Sequence, residues 1–287
     1  MNNVMNVALA AVAMVGLMES CSGKAEQKNE VCENKVCCVA EGVSGQVLAD
    51  GSVFIWLKDN DGDKLNSRDL FSDAPDALID SLGLSEGIPA SVSTFLLKCE
   101  GKNILFDAGL GAKMGGHLAE RLEAIGMNAD SVDMIYLTHL HLDHIGGMMG
   151  EEGAAFAKAE VYVGKVEYDA WMNQMPEEKT GMQRAVMGMY ADRLHMVEFG
   201  DTLPCGVVAM DAVGHTPGHT AFQKGEVLVI GDLMHGLALQ EGHPEYNSNY
   251  DMDKQQAAAS RKRVIDYARA NGLLMAGMHL PAPGVAR

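Results

Sequence analysis

The stretch Thr138-His139-Leu140-His141-Leu142-Asp143-His144-Ile145-Gly146-Gly147 carries three imidazoles and one carboxylate within six residues. The four residues before it, 134–137, are apolar and predict a short buried strand. The two glycines after it predict that the chain turns sharply. On an extended backbone, His139 and His141 point to the same side because they are two residues apart. The sequence therefore predicts a polar cluster in a loop that follows a buried strand.

Imidazole and carboxylate are the ligands that divalent zinc, iron or manganese accept in proteins. A surface loop does not account for the apolar residues on both sides of the cluster, and burying such groups without partners would be very costly. Asp143 and His144 come two and three residues after His141 and could face a second ion. This stretch alone leaves one metal and two metals open.

Three more buried strands are predicted to end in residues of the same kind. His215 follows strand 206–210 within Gly214-His215-Thr216-Pro217-Gly218-His219, Asp232 follows strand 227–230, and His279 follows strand 273–278. Six of the ten histidines lie at these four places. One cause for all four is a metal centre at one edge of the sheets. Asp107, which ends strand 103–107, is predicted either to brace the metal loop or to cap a turn.

Strands and helices alternate along the chain, which predicts an α/β protein built from layers of sheet and helix. Its 287 residues can hold one large domain or two small ones. A hydrophobic content of 47% is ordinary for a globular protein with a sizeable core. The net charge of −17 argues against a nucleic-acid partner, because such affinity comes mostly from Lys and Arg on phosphates. Cys99 and Cys205 are predicted to be small buried apolar residues.

The amino end predicts export. Residues 7–18 are almost wholly apolar, too short for a stable membrane span but suited to the core of a signal peptide over residues 1–20. The residues around Cys21 resemble a bacterial lipoprotein cleavage site with Cys21 as the lipidated residue; secretion with cleavage nearby is the alternative. We predict a flexible tether at 21–45, a folded domain at 46–287, and a place in the bacterial cell envelope, with membrane attachment only through Cys21.

Together, the motif at 138–144, the motif at 214–219, Gly231-Asp232 and His279 resemble the metallo-β-lactamase superfamily over residues 46–287. The resemblance implies a four-layer αββα sandwich with two divalent metal ions, usually Zn²⁺, at the sheet edge. It implies that His139, His141 and His215 bind the first ion and that Asp143, His144 and His279 bind the second. Asp232 would bridge both ions, and His219 would be a neighbour of the site.

Residues 231–235 and 276–284 resemble the methyl parathion hydrolase branch of this superfamily. The true β-lactamases carry other ligands at the position of Asp232, which argues against antibiotic hydrolysis. Lactonases acting on acyl homoserine lactones share the metal ligands but usually carry a tyrosine where this chain has His235. His235 is therefore expected either to contact a substrate oxygen or to be a loop histidine without a role.

The implied function is that of an exported dinuclear hydrolase acting on a small ester, lactone or organophosphoester through a metal-bridging hydroxide. Asp143 would orient the nucleophile or shuttle its proton. The alternatives are an acyl homoserine lactonase, a metal-binding envelope protein without turnover, and iron-dependent redox chemistry; a nuclease is disfavoured by the charge. The expected partner is a small-molecule substrate without nucleic acid, and a homodimer is left open.

Overall fold

Two β-sheets packed face to face form the centre of the computed structural model, which describes residues 37–287. The strands in chain order are β1 (Cys37–Ala40), β2 (Val43–Val47), β3 (Val53–Lys58), β4 (Lys64–Asn66), β5 (Ile88–Ala90), β6 (Ser93–Cys99), β7 (Lys102–Phe106), β8 (Met134–Leu137), β9 (Glu160–Gly164), β10 (Leu194–Val197), β11 (Thr202–Leu203), β12 (Val207–Asp211), β13 (Thr220–Lys224), β14 (Val227–Gly231), β15 (Leu274–Gly277) and β16 (Val285–Ala286).

The helices are α1 (Asp76–Ser81), α2 (Leu118–Ala124), α3 (Leu142–Ile145), α4 (Lys165–Asp169), α5 (Glu177–Met189), α6 (Leu237–Gln240) and α7 (Lys254–Ala270). A π-helix at Ala170–Gln174 continues α4. Short 3-10 turns lie at Arg68–Phe71, Ala112–Met114, Ala129–Ser131, Gly146–Met148, Ala191–Arg193 and Pro204–Gly206. Among residues 37–287, every helix is too short or too polar to span a lipid bilayer.

The first sheet has eight strands in the order β1-β2-β3-β6-β7-β8-β9-β10, antiparallel as far as β7 and parallel from there on. The second has six strands in the order β11 to β16, of which only β14 and β15 pair in parallel. Parallel neighbours end at the same edge of a sheet. The loops of the candidate site therefore follow β8 in the first sheet and β14 and β15 in the second.

Alternating side chains of β3 show how the layers form. Val53, Ile55 and Leu57 pack into the apolar cluster that includes Leu122 of α2 and Val186 of α5. Phe54 and Trp56 point the other way, into the cluster shared with Phe222 and Val229 of the second sheet. A strand buried on both faces in this way must be apolar along its buried length, as β3 is from Val53 to Leu57.

Helix α7 covers the outer face of the second sheet, with Val264, Ile265 and Ala268 packed against Leu228 and Met275. The order of layers is therefore helix, sheet, sheet, helix, and the predicted αββα sandwich is confirmed.

A smaller unit lies beside the sandwich. Strands β4 and β5 pair antiparallel, and Phe71, Ile79 and Ile88 form a separate apolar cluster with Leu239 of α6. The Nδ2 of Asn66 donates a hydrogen bond to the carbonyl of His235 at 2.8 Å. This unit therefore holds the chain that follows β14 in place beside the site.

Two predictions need correction. β1 and β2 pair within the first sheet, so the sheet begins at Cys37 and residues 37–45 are not a tether. The glycines at 146–147 do not form a sharp turn but lie in a 3-10 helix. They are needed because a Cβ would lie 2.1 Å from the Leu110 carbonyl oxygen at Gly146 and 1.9 Å from that of Ala108 at Gly147. The predicted signal peptide, the predicted lipidation site at Cys21 and the predicted tether up to residue 36 lie outside the described residues.

Candidate metal centre

The seven predicted ligands come from four segments that meet at one edge of the two sheets. His139 and His141 follow β8, while Asp143 and His144 lie on α3, which begins where the loop ends. His215 follows β12, Asp232 follows β14 and His279 follows β15. The ligand atoms form two groups, each with members within 4.8 Å of one another, and Asp232 belongs to both.

The first group is formed by His139, His141, His215 and Asp232. The Nδ1 atom of His141 lies 3.0 Å from Nε2 of His139 and 3.0 Å from Nε2 of His215. The Oδ2 atom of Asp232 lies 3.4 Å from Nε2 of His215. Burial lowers the pKa of His139 well below its ordinary value and lowers that of His141 to about 3. These imidazoles are therefore held neutral, as metal binding requires.

Hydrogen bonds at the far side of the rings decide which nitrogens face the group. The hydroxyl of Thr138 donates to Asp107, so at 3.0 Å it accepts from Nδ1 of His139. Nδ1 of His215 donates to Asp251 at 2.9 Å. The Nε2 atoms of both histidines then carry lone pairs, and the one hydrogen of a neutral His141 cannot satisfy both. A cation between the three nitrogens accounts for this convergence.

The second group is formed by Asp143, His144, Asp232 and His279. Nε2 of His279 lies 3.0 Å from Oδ2 of Asp232 and 3.3 Å from Oδ2 of Asp143. Nε2 of His144 lies 3.1 Å from Oδ1 of Asp232, yet both of these buried atoms are without a hydrogen-bond partner. Buried polar atoms are rarely left unsatisfied. Nε2 of His144 and Oδ1 of Asp232 are two such atoms that face each other. Binding of one cation by both would satisfy them.

The charge of this pocket agrees with that fit. Burial opposes a charge on His144, but the carboxylates of Asp232, Asp107 and Asp143 raise its pKa well above the ordinary value. Burial likewise opposes a charge on His279, and Asp232 and Asp143 raise its pKa to about 10. The carboxylates thus stabilise positive charge within the second group, and either protons on the imidazoles or a divalent cation can provide that charge. The residues present suit hard or borderline divalent cations such as Zn²⁺.

Asp107 braces the metal loop, which is one of its two predicted roles. Its carboxylate accepts hydrogen bonds from the Thr138 amide, the Thr138 hydroxyl and Nδ1 of His144, each at 2.7 Å. His279 is oriented from the opposite side, where its Nδ1 donates to the Ser91 carbonyl at 3.0 Å. Such partners fix the tautomer and the direction of a metal-binding imidazole.

His219 lies beside the ligands and is engaged elsewhere. Its Nδ1 donates to the Ala212 carbonyl at 3.1 Å, and its Nε2 accepts from the Asp232 amide at 3.0 Å. Burial lowers its pKa to about 3. Both ring nitrogens are thus occupied, and His219 links the Ala212 carbonyl to the backbone amide of the shared Asp232.

His235 also lies at the centre, 3.2 Å from Oδ2 of Asp232 through its Nε2. Its ring stacks on His279 with 4.9 Å between centroids, and its Nδ1 is buried without a hydrogen-bond partner. Burial lowers the pKa of His235 to about 4. The neutral ring therefore places Nε2 beside the carboxylate shared by the two groups and leaves Nδ1 without a partner.

Three buried residues around the site were missed by sequence reasoning. The sequence pattern predicts Asp251 or Asp253 as the N-cap of α7, and the N-cap is Asp253, which accepts from the Gln256 amide. Asp251 instead bonds His215 and the fully buried Arg261. Glu167 lies inside a helix, and its carboxylate contacts two metal-ligand loops. No local pattern marks these residues, because their partners are distant in sequence.

Comparison with known proteins agrees with the fold and the site. The model of the Metallo-beta-lactamase superfamily matches residues 87–279. A ribonuclease of Thermus thermophilus is 29% identical over 153 residues, which are 49% of this chain and 35% of that protein. The chain therefore spans about a third of the length of this curated relative.

Solved structures are similar over most of the described chain. The crystal structure of the hydrolase AbOPH of the beta-lactamase superfamily is 28% identical with a TM-score of 0.75, covering 86% of this chain and 92% of that one. The dizinc quorum-quenching lactonase AidC, in complex with its product, has a TM-score of 0.77 at 24% identity and covers 85% and 92%. The second likeness concerns the fold alone. With its fold, its clustered ligands and a family match over most of its length, the chain belongs to the metallo-β-lactamase superfamily.

Proposed function

We propose that this protein is a dinuclear metal-dependent hydrolase that cleaves small esters, lactones or organophosphoesters. The observation that carries the proposal is Asp232, whose two carboxylate oxygens contact both groups of ligands. His139, His141 and His215 would hold one cation, Asp143, His144 and His279 the other, and Asp232 both. Zn²⁺ is the cation this set of nitrogen and oxygen ligands suits best.

Two such cations supply, when bound, a water that ionises near neutral pH and a polarised scissile bond. The chain's own residues account for the remaining steps. Asp143 is the most exposed carboxylate of the site, with 31% of its side chain accessible, whereas Asp232 is 2% exposed. Asp143 can therefore meet an incoming nucleophile, orient it and take up its proton. His235, whose Nε2 lies 3.2 Å from Oδ2 of Asp232, would contact a substrate oxygen through this nitrogen.

The branch of the superfamily remains a proposal as well. We infer an organophosphoester or aryl ester substrate, in line with the methyl parathion hydrolase branch, because His235 stands where lactonases usually carry tyrosine. The similarity to the hydrolase AbOPH supports a hydrolytic reaction. The net charge of −17 disfavours nucleic acid, although one relative is a ribonuclease.

An acyl homoserine lactonase is the second candidate, favoured by the similarity of fold to AidC, which was solved with N-hexanoyl-L-homoserine. Export to the cell envelope, lipidation of Cys21 and a homodimer are further proposals that rest on the sequence alone.

One experiment tests the proposal directly. Purified protein is analysed for metal content, and the same sample is assayed against a p-nitrophenyl ester, a phosphotriester and an acyl homoserine lactone. We expect two ions per chain and turnover of at least one substrate, and Asp232→Asn should lose both. Wild-type protein that binds two ions without hydrolysing any substrate of the panel would favour a metal-binding protein, and iron as the bound metal would favour redox chemistry.

A further inference from the structure

Glu167 is a fully buried carboxylate that the proposed mechanism does not use. It lies in α4 and accepts three hydrogen bonds. Oε1 accepts from the Leu140 amide at 3.0 Å and from the indole Nε1 of Trp171 at 2.7 Å. Oε2 accepts from the Gly218 amide at 2.9 Å. The two oxygens of one side chain therefore hold two different loops.

These loops carry the three imidazoles of the first ligand group. Leu140 lies between His139 and His141, and Gly218 belongs to the loop that begins with His215. The loops are far apart in sequence, and Glu167 is 27 residues from Leu140 and 51 residues from Gly218. A change at Glu167 therefore acts on the distance between His215 and the other two imidazoles.

Helix α4 is seated tightly on the second loop. A Cβ at Gly218 would lie 2.1 Å from the amide nitrogen of Glu167, so only glycine permits this approach. Trp171 adds a contact to the first loop, since its ring packs edge-on against His141 with 5.6 Å between centroids. The Glu167 carboxylate thus binds the backbone of both ligand loops directly. It also holds the Trp171 indole in contact with the His141 imidazole.

We propose that Glu167 is a positioning residue that sets the geometry, and hence the ion affinity, of the group formed by His139, His141 and His215. The inference rests on the proposed dinuclear site. A carboxylate suits the position because hydrogen bonds to a charged acceptor are about twice as strong as neutral ones. The hydrogen bonds of Glu167 do not reach Asp143, His144 or His279, so the effect is selective for one of the two ions.

The test uses the full chain and Zn²⁺ as the probe, with both dissociation constants measured by competition with a chromogenic chelator. Glu167→Gln keeps the size of the side chain but replaces one acceptor oxygen by a donor. We expect one ion to bind about tenfold to a hundredfold more weakly, as is typical when the partner of a metal-binding group is altered. The other ion should keep its affinity. Glu167→Asp keeps the charge, but its side chain is too short to reach both loops. We expect its loss of affinity for the same ion to be smaller than that of Glu167→Gln.

Asp59→Asn is the matched control. Asp59 is also fully buried and accepts from the amides of Leu110, His117 and Leu118 at 2.6–2.8 Å, none of which lies in a ligand loop. We expect both Asp59→Asn and Glu167→Gln to lower Tm. In Asp59→Asn, however, both ions should bind with wild-type affinity. Matching ion affinities in the wild type and both Glu167 variants would overturn the inference and leave the proposed function intact.

Wild-type protein that binds no pair of ions would overturn the proposed function itself. Should Glu167→Gln fail to fold, Glu167→Asp decides, because it retains the buried charge. An equal loss of both ions in that variant would also overturn the inference, since Glu167 would then act on the whole fold.

Discussion

Oδ1 of Asp251 lies 2.9 Å from Nδ1 of His215. The other carboxylate oxygen accepts from Arg261 at 2.8 Å, and both partners are buried. Burial opposes ionisation of Asp251, but His215 and Arg261 together lower its pKa. The charged carboxylate holds His215 in the tautomer that turns Nε2 toward the other ligands. This arrangement has consequences for both ion binding and stability.

Replacing Asp251 by Asn is expected to weaken ion binding about tenfold to a hundredfold, because the amide makes His215 a poorer ligand. It also leaves the Arg261 guanidinium buried without its counter-charge, which costs about 3–5 kcal/mol of unfolding free energy. Chelator competition and urea unfolding measure the two effects. Asp253→Ala, which removes only the N-cap of α7, should cost about 1 kcal/mol and leave ion affinity unchanged. Native ion affinity in Asp251→Asn would refute the orienting role.

Removing the metal should lower the thermal stability of the protein. A ligand that binds only the folded state at 100 times its Kd stabilises it by about 2.7 kcal/mol, and the carboxylate of Asp232 would lose its counter-charge on chelation. Scanning calorimetry with and without a chelator measures the shift in Tm. In Asp232→Asn the shift should be much smaller, because the ligand shared by both groups is altered. The same Tm in both wild-type samples would show that no ion binds tightly.

His235→Phe should reduce kcat/KM about tenfold to a hundredfold, equivalent to about 1.4–2.8 kcal/mol of transition-state stabilisation. The phenyl ring keeps the stacking on His279 but removes the Nε2 atom that lies beside Asp232. Steady-state kinetics together with metal analysis separate a loss of turnover from a loss of metal. His243→Phe changes an exposed histidine that pairs with Glu245, and its kinetics should match those of the wild type. Unaltered turnover in His235→Phe would assign the residue to packing only.

Gly147→Ala should destabilise the protein by several kcal/mol or prevent folding, because the added methyl would overlap the Ala108 carbonyl. Gly181→Ala provides the contrast. Gly181 lies in helix α5 with nothing within 4 Å of an added Cβ, so the change should stabilise by about 0.5–1 kcal/mol. Urea unfolding of both variants gives the comparison. Equal stability of the two would contradict the close backbone approach at Gly147.

Local sequence pattern predicts turns and the ends of helices and strands well where a single residue, such as glycine, restricts or permits the backbone conformation. The segment Glu100-Gly101-Lys102 indicates a hairpin, and β6 and β7 are joined there, with positive φ at Glu100 and Gly101. For helix α5 the pattern predicts a start at residue 180 after a break at Pro176. Instead Pro176 is the N-cap and the helix begins at Glu177. Proline has no amide hydrogen to lose at a helix start, so it can begin a helix as well as interrupt one.

The residue pattern alone identifies the kind of site, because the chemistry of the ligands and their places after apolar strands are local properties of the chain; these ligands include His139, His141, His215, Asp232 and His279. How they act together follows from the three-dimensional packing. It brought Asp232 between two groups of imidazoles and turned particular ring nitrogens inward through Thr138 and Asp251. It also tied two ligand loops to Glu167. These relations depend on contacts between residues tens of positions apart, which only the packing of the two sheets creates.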